Sequence, residues 1–327
     1  MEPKVRRGDE ELLRDEGHLE AAELKRRIAA LKKEKNAVIM AHYYQRDEIQ
    51  EVADYIGDSL ALARKAATTD ADIIVMCGVH FMGETAKILC PDRKVLIPDP
   101  EAGCSLADSC DADEFARFVE AHPGYTVISY VNTSAAVKAH TDIVVTSGNA
   151  RKIVEQLPQD AKIIFGPDRN LGGYINSVTG RDMLLWDGAC HVHDRFSLDK
   201  ILAMKKEHPG AKILVHPECR KPLQLIADKV GSTAALLAFA SEDDAKEYIV
   251  VTESGILFEM RRKCPEKVFL AAPADDAECQ CNHCEYMKLN TLQKLYETLR
   301  DEAPEITVDP DLAREALKPI NRMLEMS

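Results

Sequence analysis

The feature that most constrains the fold of this chain is an internal repeat of about 87 residues. A short apolar run that leads into polar residues occurs three times, as A-V-I-M-A-H-Y-Y, Y-T-V-I-S-Y-V-N and A-K-I-L-V-H-P-E. The polar residues after these runs, His42, Tyr130 and His216, are 88 and 86 residues apart. The segments A-D-Y-I-G-D-S from Ala53 and A-D-K-V-G-S-T from Ala227 also lie 174 residues apart, like His42 and His216. We therefore expect three copies of one structural unit.

Each copy combines apolar runs typical of buried strands with stretches typical of helices. Equivalent strands are predicted at 37–41, 125–129 and 211–215, then at 72–78, 142–148 and 249–255, and then at 94–98, 162–166 and 267–271. Strands that alternate with helices favour parallel sheets joined by right-handed crossovers. The sequence thus predicts an α/β protein with three similar parallel-sheet domains, related by pseudo-three-fold symmetry around a central active site.

The domain boundaries follow from the repeat. We expect a first domain at residues 19–110, a second at 111–195 and a third at 196–284. The segment 285–327 is predicted to form C-terminal helices, one of them beginning at Asp309-Pro310, that pack on the first domain. In such α/β units the chemistry lies at the carboxyl ends of the strands. Three fused units would bring three such ends to a common centre.

The charge and hydropathy of the chain argue against several kinds of binding partner and cellular location. The chain has 42 Lys and Arg against 55 Asp and Glu, a net charge of −13, which argues against nucleic acid or an anionic membrane. No apolar run reaches ~18 residues, so no transmembrane helix is expected. The charged N-terminal segment has no signal-peptide core, and we expect a cytoplasmic protein. In that reducing compartment, ten cysteines are not expected to form a set of structural disulfides.

Several cysteines lie in polar loops and are candidate metal ligands: Cys104, Cys110, Cys190, Cys279, Cys281 and Cys284. Each unit offers a loop cysteine after its third predicted strand, namely Cys104, Cys190 and the group at 279–284. One thiolate from each unit suits an iron–sulfur cubane, and three ligands instead of four would leave one iron open as a Lewis acid. Two alternatives remain at this point. The thiols are spare, or Cys279, Cys281 and Cys284 bind zinc with Cys104 and Cys110 or with His283.

Polar side chains end the first strand of every unit in pairs. The pairs are His42 with Tyr44, Tyr130 with Asn132, and His216 with Glu218. Residues i and i+2 of a strand point the same way, so each unit directs two polar groups toward the centre. A single buried histidine is more often a core residue than a catalyst, but three pairs in register favour a function.

Small polar residues precede a helical stretch in each unit, at Gly57-Asp58-Ser59, Thr146-Ser147-Gly148 and Gly231-Ser232-Thr233. They are either ordinary helix N-caps or anion sites, since helix N-termini favour carboxylate and phosphate. Three anion sites around a Lewis-acidic iron would suit a small, multiply anionic substrate. The chain contains no P-loop and no G-x-G-x-x-G fingerprint, so a nicotinamide cofactor is not implied.

These residues resemble a known family, the quinolinate synthases. The resemblance runs from about residue 37 to residue 290 and rests on A-H-Y-Y-Q, G-D-S-L, M-G-E-T-A-K-I-L, Y-V-N, T-S-G-N-A, F-G-P-D-R-N-L-G, W-D-G-A-C-H-V-H and V-H-P-E-C. It implies condensation of iminosuccinate with dihydroxyacetone phosphate to quinolinate, in de novo NAD biosynthesis. It also implies three similar α/β domains around a [4Fe–4S] cluster on three cysteines, with one iron lacking a protein ligand. An aspartate oxidase or dehydrogenase is the expected source of iminosuccinate.

Site residues follow from the resemblance by motif. The implied cluster ligands are Cys104, Cys190 and Cys284. Many relatives end in C-x-x-C-x-x-C, whereas this chain has C-x-C-x-x-C, and Cys284 is chosen because E-Y-M-K-L-N follows it. The altered spacing leaves the role of Cys279 and Cys281 undecided.

The remaining implied residues bind substrate or move protons. The implied substrate-binding residues are His42, Ser59, Tyr130, Asn132, Ser147, His216, Glu218 and Thr233. The implied catalytic residues are Tyr44 and Glu218, as acid and base, with His193 beside the cluster. Two other hypotheses are a different [4Fe–4S] dehydratase that acts on a polycarboxylate, and a zinc-binding or redox-sensing module that is not an enzyme.

Overall fold

A computed structural model describes residues 20–275 and 282–327 of the chain. Within these residues, twelve strands form three separate four-stranded sheets, and every pair of neighbouring strands is parallel. Helices connect the strands throughout. The predicted α/β class with parallel sheets is therefore confirmed.

The first sheet follows the N-terminal helix. Its elements are α1 (Ala21–Glu34), β1 (Ala37–His42), α2 (Asp47–Val52), β2 (Tyr55–Gly57), α3 (Ser59–Ala66), β3 (Ile73–Cys77), α4 (His80–Leu89) and β4 (Lys94–Leu96). The central strand β3, I-I-V-M-C, is buried along its whole length. An unbroken apolar run of this kind is typical of a parallel strand that is covered on both faces.

The second sheet has the same alternation of elements. They are α5 (Ser105–Asp108), α6 (Ala112–Glu120), β5 (Thr126–Tyr130), α7 (Ala135–Ala139), β6 (Ile143–Val145), α8 (Ala150–Gln156), β7 (Ile163–Gly166), α9 (Arg169–Thr179), β8 (Leu184–Leu185) and α10 (His191–Asp194). Helix α9 begins at the N-cap Asp168, whose carboxylate accepts from the nitrogen of Leu171, and ends at Gly180 in the left-handed conformation. Both are standard signals for the ends of a helix.

The third sheet and the C-terminal helices complete the chain. They are α11 (Leu198–Glu207), β9 (Lys212–Val215), α12 (Lys221–Leu225), β10 (Lys229–Val230), α13 (Thr233–Glu242), β11 (Glu247–Val251), α14 (Ile256–Lys263), β12 (Val268–Ala271), a 3-10 turn (Met287–Leu289), α15 (Leu292–Asp301) and α16 (Pro310–Met326). No helix in the described parts of the chain is long and apolar enough to cross a membrane.

The three sheets share one strand order, which is β2-β1-β3-β4, β6-β5-β7-β8 and β10-β9-β11-β12. The chain leaves the first strand of each sheet toward one edge and then returns to the other side of it. This change of direction creates a topological switch point between the first and third strands, where α/β proteins bind ligands beyond the carboxyl ends.

The equivalences predicted for the second unit were wrong. The sequence grouped 142–148 with 72–78, but β6 is an edge strand paired with β5, and it corresponds to β2. The strand that corresponds to β3 is β7, which lies between β5 and β8. The short edge strands β2, β8 and β10 were not predicted, because a segment of only two or three residues is too short to show the periodicity of a strand.

An aspartate in the same place fixes the first strand of every sheet. Its carboxylate accepts a hydrogen bond from a backbone nitrogen of that strand, and its own nitrogen donates to the carbonyl of the same residue. The pairs are Asp54 with Ile39, Asp142 with Val127 and Asp228 with Ile213, at 2.8 Å and 2.9 Å in every case. These aspartates are 88 and 86 residues apart, so the repeat extends to individual hydrogen bonds.

One apolar core joins the three units. It contains Met40 and Ile74 from the first sheet, Ile128 from the second, and Leu214 and Val250 from the third. Each sheet also has a separate apolar cluster of its own. Burial of this continuous surface is the main force that holds the units together.

The two C-terminal helices pack in different places. Helix α15 packs against α1 of the first unit. Helix α16 instead packs mainly against α7 and β6 of the second unit and also touches α4 of the first. Asn149 and Gln156 of the second unit donate hydrogen bonds to Ser327 and Met326 at its end. The apolar face of α16 therefore lies between the first two units, which the sequence pattern of a single helix does not reveal.

Candidate active site

A single cavity lies where the carboxyl ends of the three sheets meet, with about 720 Å³ of space between the protein atoms, part of it open to solvent. The cavity is lined by all the site residues that the family resemblance implies: His42, Tyr44, Ser59, Cys104, Tyr130, Asn132, Ser147, Cys190, His193, His216, Glu218, Thr233 and Cys284. The fold thus brings together residues that are up to 242 positions apart in the chain.

Two buried histidines at the strand ends are held in the same way. The backbone nitrogen of Tyr44 donates to Nδ1 of His42 at 3.2 Å, and that of Glu218 donates to Nδ1 of His216 at 3.4 Å. Because Nδ1 accepts, the ring proton of each neutral histidine lies on Nε2. Burial lowers the pKa of His42 to about 4 and that of His216 to about 3. Both rings are therefore neutral near pH 7 and carry one N–H donor.

Glu218 is the central carboxylate of the cavity. Its Oε2 lies 3.0 Å from Nδ1 of His193, and its Oε1 accepts a hydrogen bond from the hydroxyl of Tyr130. Burial alone raises the pKa of Glu218, but His193, His216 and the Tyr130 hydrogen bond together bring it below its ordinary value. Burial, followed by the charge of Glu218, raises the pKa of Tyr130 well above its ordinary value. The pair is therefore a carboxylate and a protonated phenol at neutral pH.

Tyr44 is connected to this carboxylate through two other side chains. Its hydroxyl lies 2.8 Å from Oγ1 of Thr233 and 2.7 Å from Oγ1 of Thr252. The Thr252 hydroxyl in turn lies 2.9 Å from Nε2 of His193. Burial raises the pKa of Tyr44 well above its ordinary value, so the phenol keeps its proton. A continuous set of hydrogen bonds thus joins Tyr44 to Glu218.

Three half-buried cysteines face the same cavity, each from the loop after the last strand of its sheet: Cys104, Cys190 and Cys284. Burial raises the pKa of the Cys104 thiol to about 12 and that of Cys284 to about 11. Sγ of Cys190 lies 3.2 Å from Nδ1 of His193. In the described residues, ligand atoms of Cys190, His193 and Glu218 lie within 4.8 Å of one another, a grouping able to hold a metal ion.

Buried carboxylates hold the backbone of two of these cysteines. Oδ2 of Asp168 accepts from the nitrogen of Cys190 at 3.1 Å, and Oε1 of Glu253 accepts from the nitrogen of Cys284 at 3.1 Å. Neither carboxylate has any exposed surface. The backbone of Cys190 and of Cys284 is therefore held in place by a buried carboxylate, and such hydrogen bonds help to orient metal ligands.

The small polar residues near the helix starts are not all placed as predicted. Ser59 and Thr233 are the first residues of α3 and α13, after the N-caps Asp58 and Ser232. Ser147 lies two residues before Asn149, the residue that precedes α8, so it belongs to the loop. All three still line the cavity, because they occupy the same position in the repeat.

One cysteine predicted as a candidate ligand lies elsewhere. Cys110 is buried in an apolar cluster with Phe115, Val127 and Ile164, on the outer side of the second sheet. Cys110 lies in a loop, but aromatic and aliphatic side chains surround it, and it does not line the cavity. Cys279 and Cys281 fall outside the described residues.

Sequence reasoning missed three buried residues beside the cavity: Asp168, Thr252 and Glu253. Asp168 follows β7, and the other two follow β11, the strand next to β9. Polar residues after a strand at the switch point are the signal that would have found them. By itself, the segment I-V-V-T-E-S-G predicts only a strand with a polar end.

Comparison with known proteins agrees with this geometry. A family model described as quinolinate synthetase A protein matches residues 26–325. A quinolinate synthase of Synechococcus sp. is 56% identical over 94% of this chain and 96% of its own length. Those of Chloroherpeton thalassium and Microcystis aeruginosa are 54% and 57% identical over 95% and 92% of this chain, and 96% and 94% of their own lengths. The chain therefore belongs to the quinolinate synthetase A family.

Proposed function

We propose that this chain condenses iminosuccinate with dihydroxyacetone phosphate to form quinolinate, phosphate and two waters, a step of de novo NAD biosynthesis. Phosphate is released as a carbon–carbon bond joins the two substrates, and the two waters are lost as the pyridine ring closes. The observation that carries the proposal is the cavity in which one thiol from each sheet meets the buried pair Tyr44 and Glu218. Membership of the family supports the same reaction.

Cys104, Cys190 and Cys284 would hold a [4Fe–4S] cluster in which one iron has no protein ligand. The donor set fits, because three thiols face one cavity and two of them have their backbone fixed by Asp168 and Glu253. The raised thiol pKa values mean that iron must displace their protons, as metals do with coordinating thiols. When bound, the cluster supplies a Lewis acid for a substrate oxygen and assists the departure of hydroxide.

The arrangement of the units supports the proposed pseudo-three-fold symmetry around this centre. The three sheets have one strand order, and each contributes one cysteine and one pair of strand-end residues to the cavity. We keep the proposed domains at 19–110, 111–195 and 196–284, since each range contains one complete sheet.

Neutral hydrogen-bond donors suit the two substrates, which together carry two carboxylates and a phosphate. The Nε2–H groups of His42 and His216 would bind carboxylate oxygens, and the phenol of Tyr130 would exchange its hydrogen bond with Glu218 for one to a substrate oxygen. Within the described residues, the buried Oδ1 of Asn132 has no hydrogen-bond partner, as expected for an acceptor that binds a ligand. Ser59, Ser147 and Thr233 add hydroxyl groups from the three equivalent positions.

Glu218 and Tyr44 have opposite protonation states and can therefore share the proton transfers. Each dehydration removes a proton from carbon and gives one to the departing hydroxide. Glu218, held as a carboxylate, would accept the first proton, and Tyr44, held as a phenol, would donate the second. His193 would orient Glu218 through the 3.0 Å contact.

Iminosuccinate must come from a separate enzyme. It differs from aspartate by the loss of two electrons and two protons, so an aspartate oxidase or dehydrogenase is the proposed source. Its imine hydrolyses readily in water, which favours delivery close to the site.

The proposal is tested on protein purified without oxygen. Iron, sulfide and the visible spectrum are measured, and quinolinate is followed after addition of iminosuccinate and dihydroxyacetone phosphate. We expect a brown protein that forms quinolinate, with both properties lost in Cys190→Ala. Cys90→Ala is the matched control, because Cys90 is also half-buried but lies outside the cavity. A brown protein without product would favour another dehydratase, and a colourless zinc protein would overturn the cluster.

A further inference from the structure

A side-chain donor lies eight residues after the polar residue that ends the first strand in every unit. The donors are Gln50, Lys138 and Gln224, which follow His42, Tyr130 and His216. Gln50 and Lys138 are buried, and Gln224 is half-buried. None of the three faces the cavity, and neither the sequence motifs nor the reaction gives them a role.

Each donor reaches back to two backbone carbonyls of the loop that follows the first strand. Gln50 Nε2, which also donates to Gly255 at 3.0 Å, donates to the loop carbonyls of Tyr43 and Gln45 at 3.1 and 3.0 Å. Lys138 Nζ donates to Val131 at 2.9 Å and to Thr133, and Gln224 Nε2 donates to Pro217 and Cys219 at 2.9 and 2.7 Å. In every unit these carbonyls belong to the residues just before and just after one particular residue. That enclosed residue is Tyr44, Asn132 or Glu218.

We propose that Gln50, Lys138 and Gln224 are positioning residues that set the side chains of Tyr44, Asn132 and Glu218 in the cavity. The inference rests on the proposed function for the roles of these three residues. Buried carbonyls require partners, and an amide or ammonium group has enough N–H donors to satisfy two of them. These bonds fix the peptide directly before the enclosed residue and the peptide one residue beyond it, which restricts the backbone between them and therefore the direction of the enclosed side chain. The contact is kept in all three copies of the repeat although the donor is glutamine in two of them and lysine in the third, which argues against an accident of packing.

Lys138 offers the sharpest test, because the chain itself shows which residue can replace it. The other two units place glutamine at this position on the same backbone, so Lys138→Gln supplies an alternative donor. Lys138→Met removes the donors while it keeps the length and apolar stem of the side chain. Lys267 is a matched control, since it is also buried and donates to two carbonyls, those of Ala240 and Asp243, away from the cavity.

The experiment measures quinolinate binding by calorimetry, together with kcat, KM, iron content and the midpoint of unfolding, on anaerobic holoenzyme. Lys138→Met should weaken quinolinate binding and raise KM by roughly 10-fold or more, with a smaller effect on kcat, because a misplaced binding group is costly. Lys138→Gln should recover most of that loss. Lys267→Met should lower the unfolding midpoint and leave quinolinate binding unchanged.

The inference fails if iron-loaded Lys138→Met binds quinolinate like the wild type, or if Lys138→Gln recovers nothing. Should Lys138→Met not fold, Gln224→Met is the alternative test. Gln224 is half-buried, and it contacts the carbonyls of the residues before and after Glu218. We expect Gln224→Met to lower kcat about 10-fold or more with KM nearly unchanged, because Glu218 moves protons; an unchanged kcat overturns the inference. A wild-type protein that neither binds nor forms quinolinate would instead refute the proposed function.

Discussion

The Nδ1 atom of His193 lies 3.0 Å from Oε2 of Glu218, and both side chains are almost fully buried. The other oxygen of Glu218 accepts from Tyr130, so each carboxylate oxygen has a donor. Burial in apolar surroundings raises the pKa of a carboxyl group, whereas these two donors lower the pKa of Glu218 and keep it ionised. Glu218 is thus prepared to accept a proton without first losing one.

Replacing Glu218 with Gln should stop turnover while the cluster stays in place. The amide has nearly the same shape but cannot take a proton, so we expect kcat to fall by about 10²–10⁴. Quinolinate formation and iron content are measured on the same anaerobic sample. Glu259→Gln is the control, because Glu259 is also buried but pairs with Arg262 outside the cavity. Normal turnover of Glu218→Gln would remove Glu218 from the role of base.

Tyr44 should matter for its hydroxyl group and not for its ring. Tyr44→Phe keeps the packing but removes the proton donor and the contacts with Thr233 and Thr252. We expect kcat to fall by about 10²-fold or more, with quinolinate binding changed less. The neighbouring Tyr43 is also buried but does not line the cavity, so Tyr43→Phe should retain turnover. Equal losses in both variants would indicate a packing effect.

Much of the fold follows from the sequence because the repeat is visible in apolar runs. Strands such as Ile73–Cys77 are long and buried on both faces, so composition alone identifies them. The edge strand Lys229–Val230 has two residues and a charged side chain, so only pairing with its neighbour defines it. In the second unit the edge strand Ile143–Val145 is itself apolar and buried, so it was matched wrongly with a central strand.

Part of the candidate site was also predictable, because the repeat identifies the ends of the first strands. Residues that follow the first strand, such as His42 and Glu218, could be chosen because an i, i+2 pair on a strand faces one way. Thr252 and Glu253 also follow a strand, but using that signal requires knowing that β11 lies beside β9. Contacts between units, such as Tyr130 with Glu218, require three-dimensional packing and leave no pattern in the sequence.

Burial of His42 should make the stability of the protein depend on pH. The folded-state pKa is about 4, against 6.5 when the ring is exposed, so the unfolded state takes up its proton first as the pH falls. The free energy of unfolding should therefore decrease between pH 6.5 and 4, on the order of 3 kcal/mol from this group. The charges of Glu253 and Glu218 oppose the shift, and that of Lys288 adds to it.

The measurement is anaerobic chemical unfolding of the holoenzyme at several pH values in this range. His42→Gln cannot titrate, and its free energy of unfolding should decrease less steeply with falling pH than that of the wild type. His140→Gln, which removes an exposed histidine, is the control and should keep the wild-type slope. Identical slopes for the wild type and His42→Gln would show that His42 is not held neutral by the fold.

Glu253 should control how firmly the cluster is retained, since it holds the backbone of Cys284. Its Oε1 accepts from the nitrogen of Cys284 at 3.1 Å and lies 3.0 Å from Nζ of Lys288, while Oε2 accepts from Gly255 at 2.6 Å. Glu253→Gln replaces one of these acceptors with an NH₂ group, which leaves a buried N–H without a partner at a cost of about 1–3 kcal/mol. We expect iron to leave the variant about tenfold faster than the wild type when a chelator is added, because changes behind a metal ligand weaken binding by this order.

Release of iron is followed by the visible spectrum, which requires no turnover, and Glu259→Gln again serves as the buried control. Equal release rates for Glu253→Gln and the wild type would mean that Cys284 keeps its place without this carboxylate.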